Sequence, residues 1–183
     1  MRVGLVATGR RMAVALIACT SLLALGAAGA SGAGYATHLS KGTVHASEPR
    51  AALKGSPSGF MSILFKTNTH DQVTTLIENQ IEGIPIACTK GSNKSVGTES
   101  LAEYEAIHQV RSTGAFEFEI PLTYAPVKIK VVGKLTGHGT HASAEVTVTS
   151  TTPEFQYGLS EGCRLTTPSM SWSAGLKWKR FEV

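Results

Sequence analysis

The stretch from Gly114 to Ser150 narrows the choice of fold more than any other part of the chain. It holds three runs that alternate apolar and polar residues: Ala115 to Ile120, Val127 to Leu135 and Thr140 to Thr149. Period-2 alternation is the mark of a strand with one face buried, and three such runs in succession predict an antiparallel meander. His138-Gly139, between the second and third runs, suits a two-residue type I′ turn, in which both central residues need positive φ and Gly supplies one without steric cost. With those residues at the turn, Val131 opposes Val146, Ile129 opposes Val148 and Gly133 opposes Ala144 on one face, while Lys130–Thr147 and Lys128–Thr149 lie on the other. For the first and second strands, the Pro121 to Pro126 connection predicts Ile120 opposite Val127. Phe118 then meets Ile129 and Phe116 meets Val131. On the outer face Glu117 falls opposite Lys130 and Glu119 opposite Lys128, a charge match that supports this register. A one-residue slip would turn both lysines into the core.

The remaining chain continues in short segments. Thr37 to Ser58 is polar and turn-rich and reads as an N-terminal arm with a short strand near Val44. Gly59 to Lys66 is apolar at nearly every position and reads as a central strand. Val73 to Glu78 and Ile81 to Cys88 follow as strands, with Pro85 arguing for an edge position, and Thr89 to Gly97 is a polar loop. Thr98 to Arg111 has two readings. Ser100 and Glu103 spell a capping box ahead of Leu101, Tyr104 and Ile107 at helical spacing, yet Tyr104, Ala106, His108 and Val110 alternate as an edge strand would, and the all-β surroundings favour strand. Phe155 to Leu159, Glu161 to Leu165 and Ser169 to Ala174 complete the set, followed by a basic, aromatic tail from Leu176 to Phe181. About eight to ten short strands predict an all-β, antiparallel two-sheet sandwich, Ig-like or jelly-roll-like, in one domain over residues 59–183.

Residues 1–36 read as a signal peptide. Arg10-Arg11 precedes the apolar run Met12 to Ala30, and small-residue cleavage sites end at Ala30 and at Ala36. A membrane anchor is the rival reading, and the lipobox-like Leu16-Ile-Ala-Cys19 offers a lipoprotein variant of it. The 17 basic residues, less the leader's Arg2, Arg10 and Arg11, leave 14 against 13 acidic ones. That balance provides no basic field for nucleic acid or for an anionic membrane surface. Beyond the leader two cysteines remain, Cys88 and Cys163. In an oxidising compartment a disulfide is the default for such a pair, with two separate buried thiols as the alternative.

Several of these features recur together elsewhere. They are the lysine-bearing strand Val127 to Leu135, the Gly-containing hairpin and Ala/Thr-rich return strand Gly137 to Thr149, Cys163, the closing Trp172-Ser173-Ala174, and upstream Ile84 to Cys88. With its leader, the chain resembles a mostly uncharacterised group of secreted actinobacterial β-sandwich proteins. The similarity spans most of the chain after the leader. It departs in the Glu-rich Thr98 to Arg111 segment and in the tail after Ala174. The resemblance implies a secreted sandwich with one disulfide, and it brings no activity with it.

The candidate chemistry is thin. His138 and His141 are spaced like zinc ligands, but the hairpin puts one at its tip and the other on the outer face, so no metal site is expected. His70-Asp71 holds the chain's sole aspartate, in a turn, with no nucleophile elbow anywhere. Glu103 with Glu105, or Glu117 with Glu119, could pose as a glycosidase pair, but lysines face the second pair. Trp172 reads as core, packed near the disulfide. Trp178, between Lys177 and Lys179, is a candidate for an exposed stacking face together with Tyr104, Tyr124 and Tyr157. The expectation is therefore a secreted, non-enzymatic protein without cofactor that binds or assembles with an extracellular or envelope protein or glycan. A carbohydrate-binding module is the second reading, and a membrane-anchored surface protein the third. A hydrolase would need His70, His108 or His141 beside a serine and a carboxylate in a pocket.

Overall fold

The structure, a computed structural model, describes residues 34–97, 107–122 and 125–181, with only the backbone of Glu78 and Asn79. Among these residues the regular structure is entirely strand. In chain order the strands are β1 (Tyr35–Ala36), β2 (His45–Ser47), β3 (Arg50–Ala52), β4 (Phe60–Thr67) and β5 (Gln72–Glu82). Next come β6 (Ile84–Ala87), β7 (Ser95–Val96), β8 (Ile107–Gln109), β9 (Ala115–Pro121) and β10 (Val127–Thr136). The last are β11 (His141–Ser150), β12 (Phe155–Tyr157), β13 (Ser160–Leu165), β14 (Ser169–Gly175) and β15 (Lys179–Arg180). They form an antiparallel sandwich. One sheet runs β1-β5-β4-β2-β15, with β3 also on β4 and β8 on β5; a second runs β14-β11-β10-β9. A small third sheet, β12-β13-β6-β7, joins the two expected from the sequence.

The meander forms as its alternation dictates. β10 and β11 pair in the predicted register, Val131 with Val146 and Ile129 with Val148. The turn has His138 at φ 52° and Gly139 at φ 82°, and the Thr140 N–H donates to the Gly137 carbonyl at 3.2 Å. The β9–β10 register is corrected by two residues. Ile120 pairs with Ile129, Phe118 with Val131 and Phe116 with Gly133. A shift of two leaves every side chain on its predicted face, so the core set is unchanged. The predicted ion pairs also form, but diagonally: Lys130 to Glu117 at 2.6 Å and Lys128 to Glu119 at 3.2 Å. Lys130 hydrogen-bonds Glu117 and holds its carboxyl below the usual range, and Glu117 in turn raises the Lys130 ammonium. The contact that selects the observed register lies on the inner face. A Cβ on Gly133 would fall 2.2 Å from Phe116 Cζ, so the phenyl ring occupies the space that only glycine leaves empty.

The core is one cluster drawn from all three sheets. Phe65 of β4 meets Phe116 of β9 edge-on at 5.6 Å between ring centroids. Trp172 of β14 is 1% exposed, and its indole Nε1–H donates across the sandwich to the Met61 carbonyl at 3.0 Å. The third sheet contributes Ile84, Ile86, Val96, Phe155 and Cys163, and Cys163 is joined to Cys88 by a disulfide.

Three further elements differ from the sequence reading. The expected break near residue 80 lies instead at Gly83, where φ is 73°, and β5 runs through it with a bulge that skips Asn79 opposite Ser62 and Ile63. Pro85 is not on an edge, since β6 pairs with β7 and with β13. The Pro85 carbonyl accepts from Thr166 N–H at 3.2 Å, past the last β6–β13 pair. The N–H that proline lacks thus falls at a ladder end, where it costs little. The polar 37–58 stretch is more than an arm: β2 and β3 lie end to end along β4.

Candidate functional site: a basic groove at the sheet seam

β3 and β14 approach each other where the two large sheets meet. At one end they touch: Lys54 N–H donates to the Ser171 carbonyl at 2.8 Å and Ser171 N–H returns to Lys54 at 3.1 Å. At the other end the Lys177 N–H donates to Ser47 Oγ at 2.9 Å. Between these two ties the seam opens into a groove of about 920 Å³. Its walls are the β2–β3 segment, the last residues of β14 and the tail. Tail and β2 are locked by pairing of Lys179 with Ala46 and Arg180 with His45, and by the Phe181 N–H to Val44 carbonyl bond at 2.8 Å.

Arg50, Lys177, Lys179 and Arg180 all line this groove, against one carboxylate, Glu48. Two cation–ring contacts shape its surroundings: Arg50 Cζ sits 3.7 Å from the centre of the Phe60 ring, and Lys66 Nζ 4.6 Å from that of Phe181. The concentration of charge was not visible in the near-neutral composition of the chain beyond residue 36. The run Lys177-Trp-Lys-Arg180 was the available signal, but its convergence on Arg50, more than a hundred residues earlier, is a product of the fold.

The sequence-based site candidates fall elsewhere. Trp178 is half-buried against the core, and its indole N–H donates to the Gly139 carbonyl at 2.6 Å, so it anchors the tail to the β10–β11 turn. Tyr157 is half-buried too, in the third sheet, where its carbonyl accepts from Asn93 Nδ2 at 2.8 Å. Neither presents a fully exposed ring, and Tyr104 and Tyr124 lie outside the described residues, as do Glu103 and Glu105. His138 is at the turn tip as expected, its ring 4.1 Å from that of His38. His141 is exposed, with Nδ1 2.8 Å from Thr140 Oγ1. Among the described residues no group of three or more His, Cys, Asp or Glu side chains is placed to hold a metal ion. Asp71 is buried, with φ at 66°, and its carboxylate accepts from the Thr37 hydroxyl. That bond ties the segment after β1 to the β4–β5 turn.

His108 lies on β8. It stacks on Phe118 with ring centroids 4.7 Å apart, and among the described residues nothing pairs with its buried Nε2. Burial lowers its pKa below the ordinary imidazole value, because the charged ring would lose hydration. The unfolded chain therefore binds a proton more readily than the native one. Stability is complete above the unfolded pKa of about 6.5 and declines as pH falls from there towards the lowered folded value. In urea titrations at pH 7 and pH 5, His108→Phe is expected to flatten the acid-side loss of midpoint. An unchanged slope would place the acid sensitivity in another group.

No protein-family model, no curated protein and no solved structure matches this chain. Among the described residues no helix is long and apolar enough to cross a membrane.

Proposed function

We propose that this chain is an exported, non-enzymatic sandwich that binds an anionic extracellular or cell-envelope component in the basic groove at the β3–β14 seam. The observation that carries the reading is the convergence of Arg50, Lys177, Lys179 and Arg180 on one concavity with a single carboxylate. Cations gathered in a cleft raise the local concentration of an anionic partner far more than the same charges scattered over a convex face. The Cys88–Cys163 disulfide supports an oxidising compartment, in keeping with the signal-like leader. β1 favours one of the two cleavage positions. Tyr35 pairs with Val73 and Ala36 with Gln72, and Gly34 is packed so closely that a Cβ would fall 2.3 Å from the Val73 carbonyl oxygen. Cleavage after Ala30 keeps this strand; cleavage after Ala36 removes it. The exported protein is expected to begin at Ser31 by intact mass.

Retention on immobilised polyglutamate tests the groove. The variant Lys177→Glu/Lys179→Glu/Arg180→Glu is expected to lose retention at physiological salt. Lys128→Glu/Lys130→Glu/Lys134→Glu, an equal charge change on the outer face of the meander, is expected to keep most of it. Equal loss in both variants would reduce the effect to net charge and remove the case for the groove.

A further inference from the structure

The backbone directions along the seam add a second feature to the groove. At the two ends of β14, the Pro168 carbonyl accepts from Val148 N–H and the Leu176 N–H donates to the Thr140 carbonyl. Even-numbered residues of this strand therefore point their backbone groups at β11. Odd-numbered residues point the other way, and Ser171 uses both of its groups on Lys54. Ser173 and Gly175 continue that direction into the groove, and among the described residues no backbone group meets them there. The same logic holds across the seam. Leu53 N–H donates to the Gly59 carbonyl, so the odd positions of β3 face β4, while Arg50 and Ala52 face the seam. The bridge between Lys54 and Ser171 thus begins an antiparallel ladder that would continue Ala52 to Ser173 and Arg50 to Gly175 if the sheets stayed together. The ladder stops after one step, and the seam widens.

We infer that the open edge of β14 accepts a short, extended, acidic polypeptide segment of a partner protein, which adds to the sheet beside Ser173–Gly175 with its carboxylates against Arg50, Lys177, Lys179 and Arg180. This rests on the reading of the groove as an anion-binding site and gives that site its ligand class. A bare strand edge is a template for main-chain pairing, and strand addition draws affinity from main-chain hydrogen bonds and selectivity from alternate side chains. Alternate residues of an added strand point to one face, so a segment with acidic residues at every second position matches the charge while its backbone matches the edge. A sulfated or phosphorylated glycan meets the charge but leaves the donors and acceptors of Ser173 and Gly175 without partners. That difference favours a polypeptide.

The probes are a fluorescent octapeptide of alternating glutamate and threonine, the same peptide N-methylated at every second amide in each of the two frames, and heparin. Anisotropy titrations at 50 and 200 mM salt read the affinity. The unmodified peptide is expected to bind, to weaken as salt rises, and to lose at least tenfold in affinity when one methylation frame removes the donors that face β14. Arg50→Gln is expected to weaken it several-fold with an unchanged melting temperature. Equal binding of the methylated and unmethylated peptides would overturn strand addition while leaving an anion-binding groove. Binding of heparin without binding of the peptide would overturn the polypeptide in favour of a glycan. Failure of all the polyanions would overturn the groove reading itself.

Discussion

Replacing Trp172 by alanine is expected to lower the stability of the fold by about 3–5 kcal/mol, the range for removing a large aromatic side chain from a packed core. The indole has two roles. It is almost completely buried, so truncation leaves a cavity between the two large sheets. Its Nε1–H also donates to the Met61 carbonyl across the sandwich, and losing a hydrogen bond of that kind costs about 0.5–1.5 kcal/mol. Small domains hold only about 5–15 kcal/mol in all, so the alanine variant is expected to be partly unfolded at modest temperature. Trp172→Phe separates the two roles, because it keeps most of the volume and removes only the donor. In urea titrations the phenylalanine variant is expected to fall between wild type and alanine, with the m-value unchanged in both. A phenylalanine variant as unstable as alanine would mean that the hydrogen bond outweighs packing. A neutral alanine variant would mean that Trp172 does not bridge the sheets.

The meander was legible because its information is local. Alternation assigned the faces, and His138-Gly139 assigned the turn, since few residue pairs accept two positive φ angles in succession. The β9–β10 register was not legible, although charge matching pointed to a definite answer. Lysine is long enough to reach a glutamate diagonally, so Lys130 can pair with Glu117 in either of two registers that differ by two residues. The deciding interaction is the Phe116 ring over Gly133, a matter of shape that a pattern of apolar and polar letters does not encode. The short strands of the large sheet were missed for a related reason. β2 and β3 have three residues each, too few to establish a period. Pro85 misled because a rule about whole strands was applied to a ladder two pairs long. The groove was the least legible feature. Its cations come from Arg50 and from the tail, and the ties between the tail and β2 bring them to one opening. The sequence suggested Trp178 as the residue to watch in that tail, but the ring anchors the tail and the flanking cations face the groove.

Loss of the Cys88–Cys163 bridge is expected to be comparable in effect to the largest single core truncation. The bridge joins residues 75 apart, so it shortens the unfolded chain across the whole segment that carries β7 to β12. In the chain-entropy description a loop of that length is worth about 4–5 kcal/mol, with most of the effect in the denatured state. The pairing of β9, β10 and β11 does not include Cys88 or Cys163, so the reduced protein is expected to reach the same fold at lower stability. Comparison of oxidised and fully reduced wild type in urea is the direct measurement. It avoids the cavity that Cys163→Ala would open at a wholly buried position. The midpoint is expected to fall steeply on reduction. The m-value is expected to rise, because the unbridged denatured chain exposes more surface. A large fall in midpoint with a constant m-value would place the stabilisation in native packing around Cys163, and the double alanine variant would then lose more than reduction does. A small fall on reduction would mean that the hydrophobic contacts of Ile84, Ile86 and Phe155 hold the third sheet in place without the bond. The 75-residue loop would then be closed by packing, and the disulfide would add little to stability.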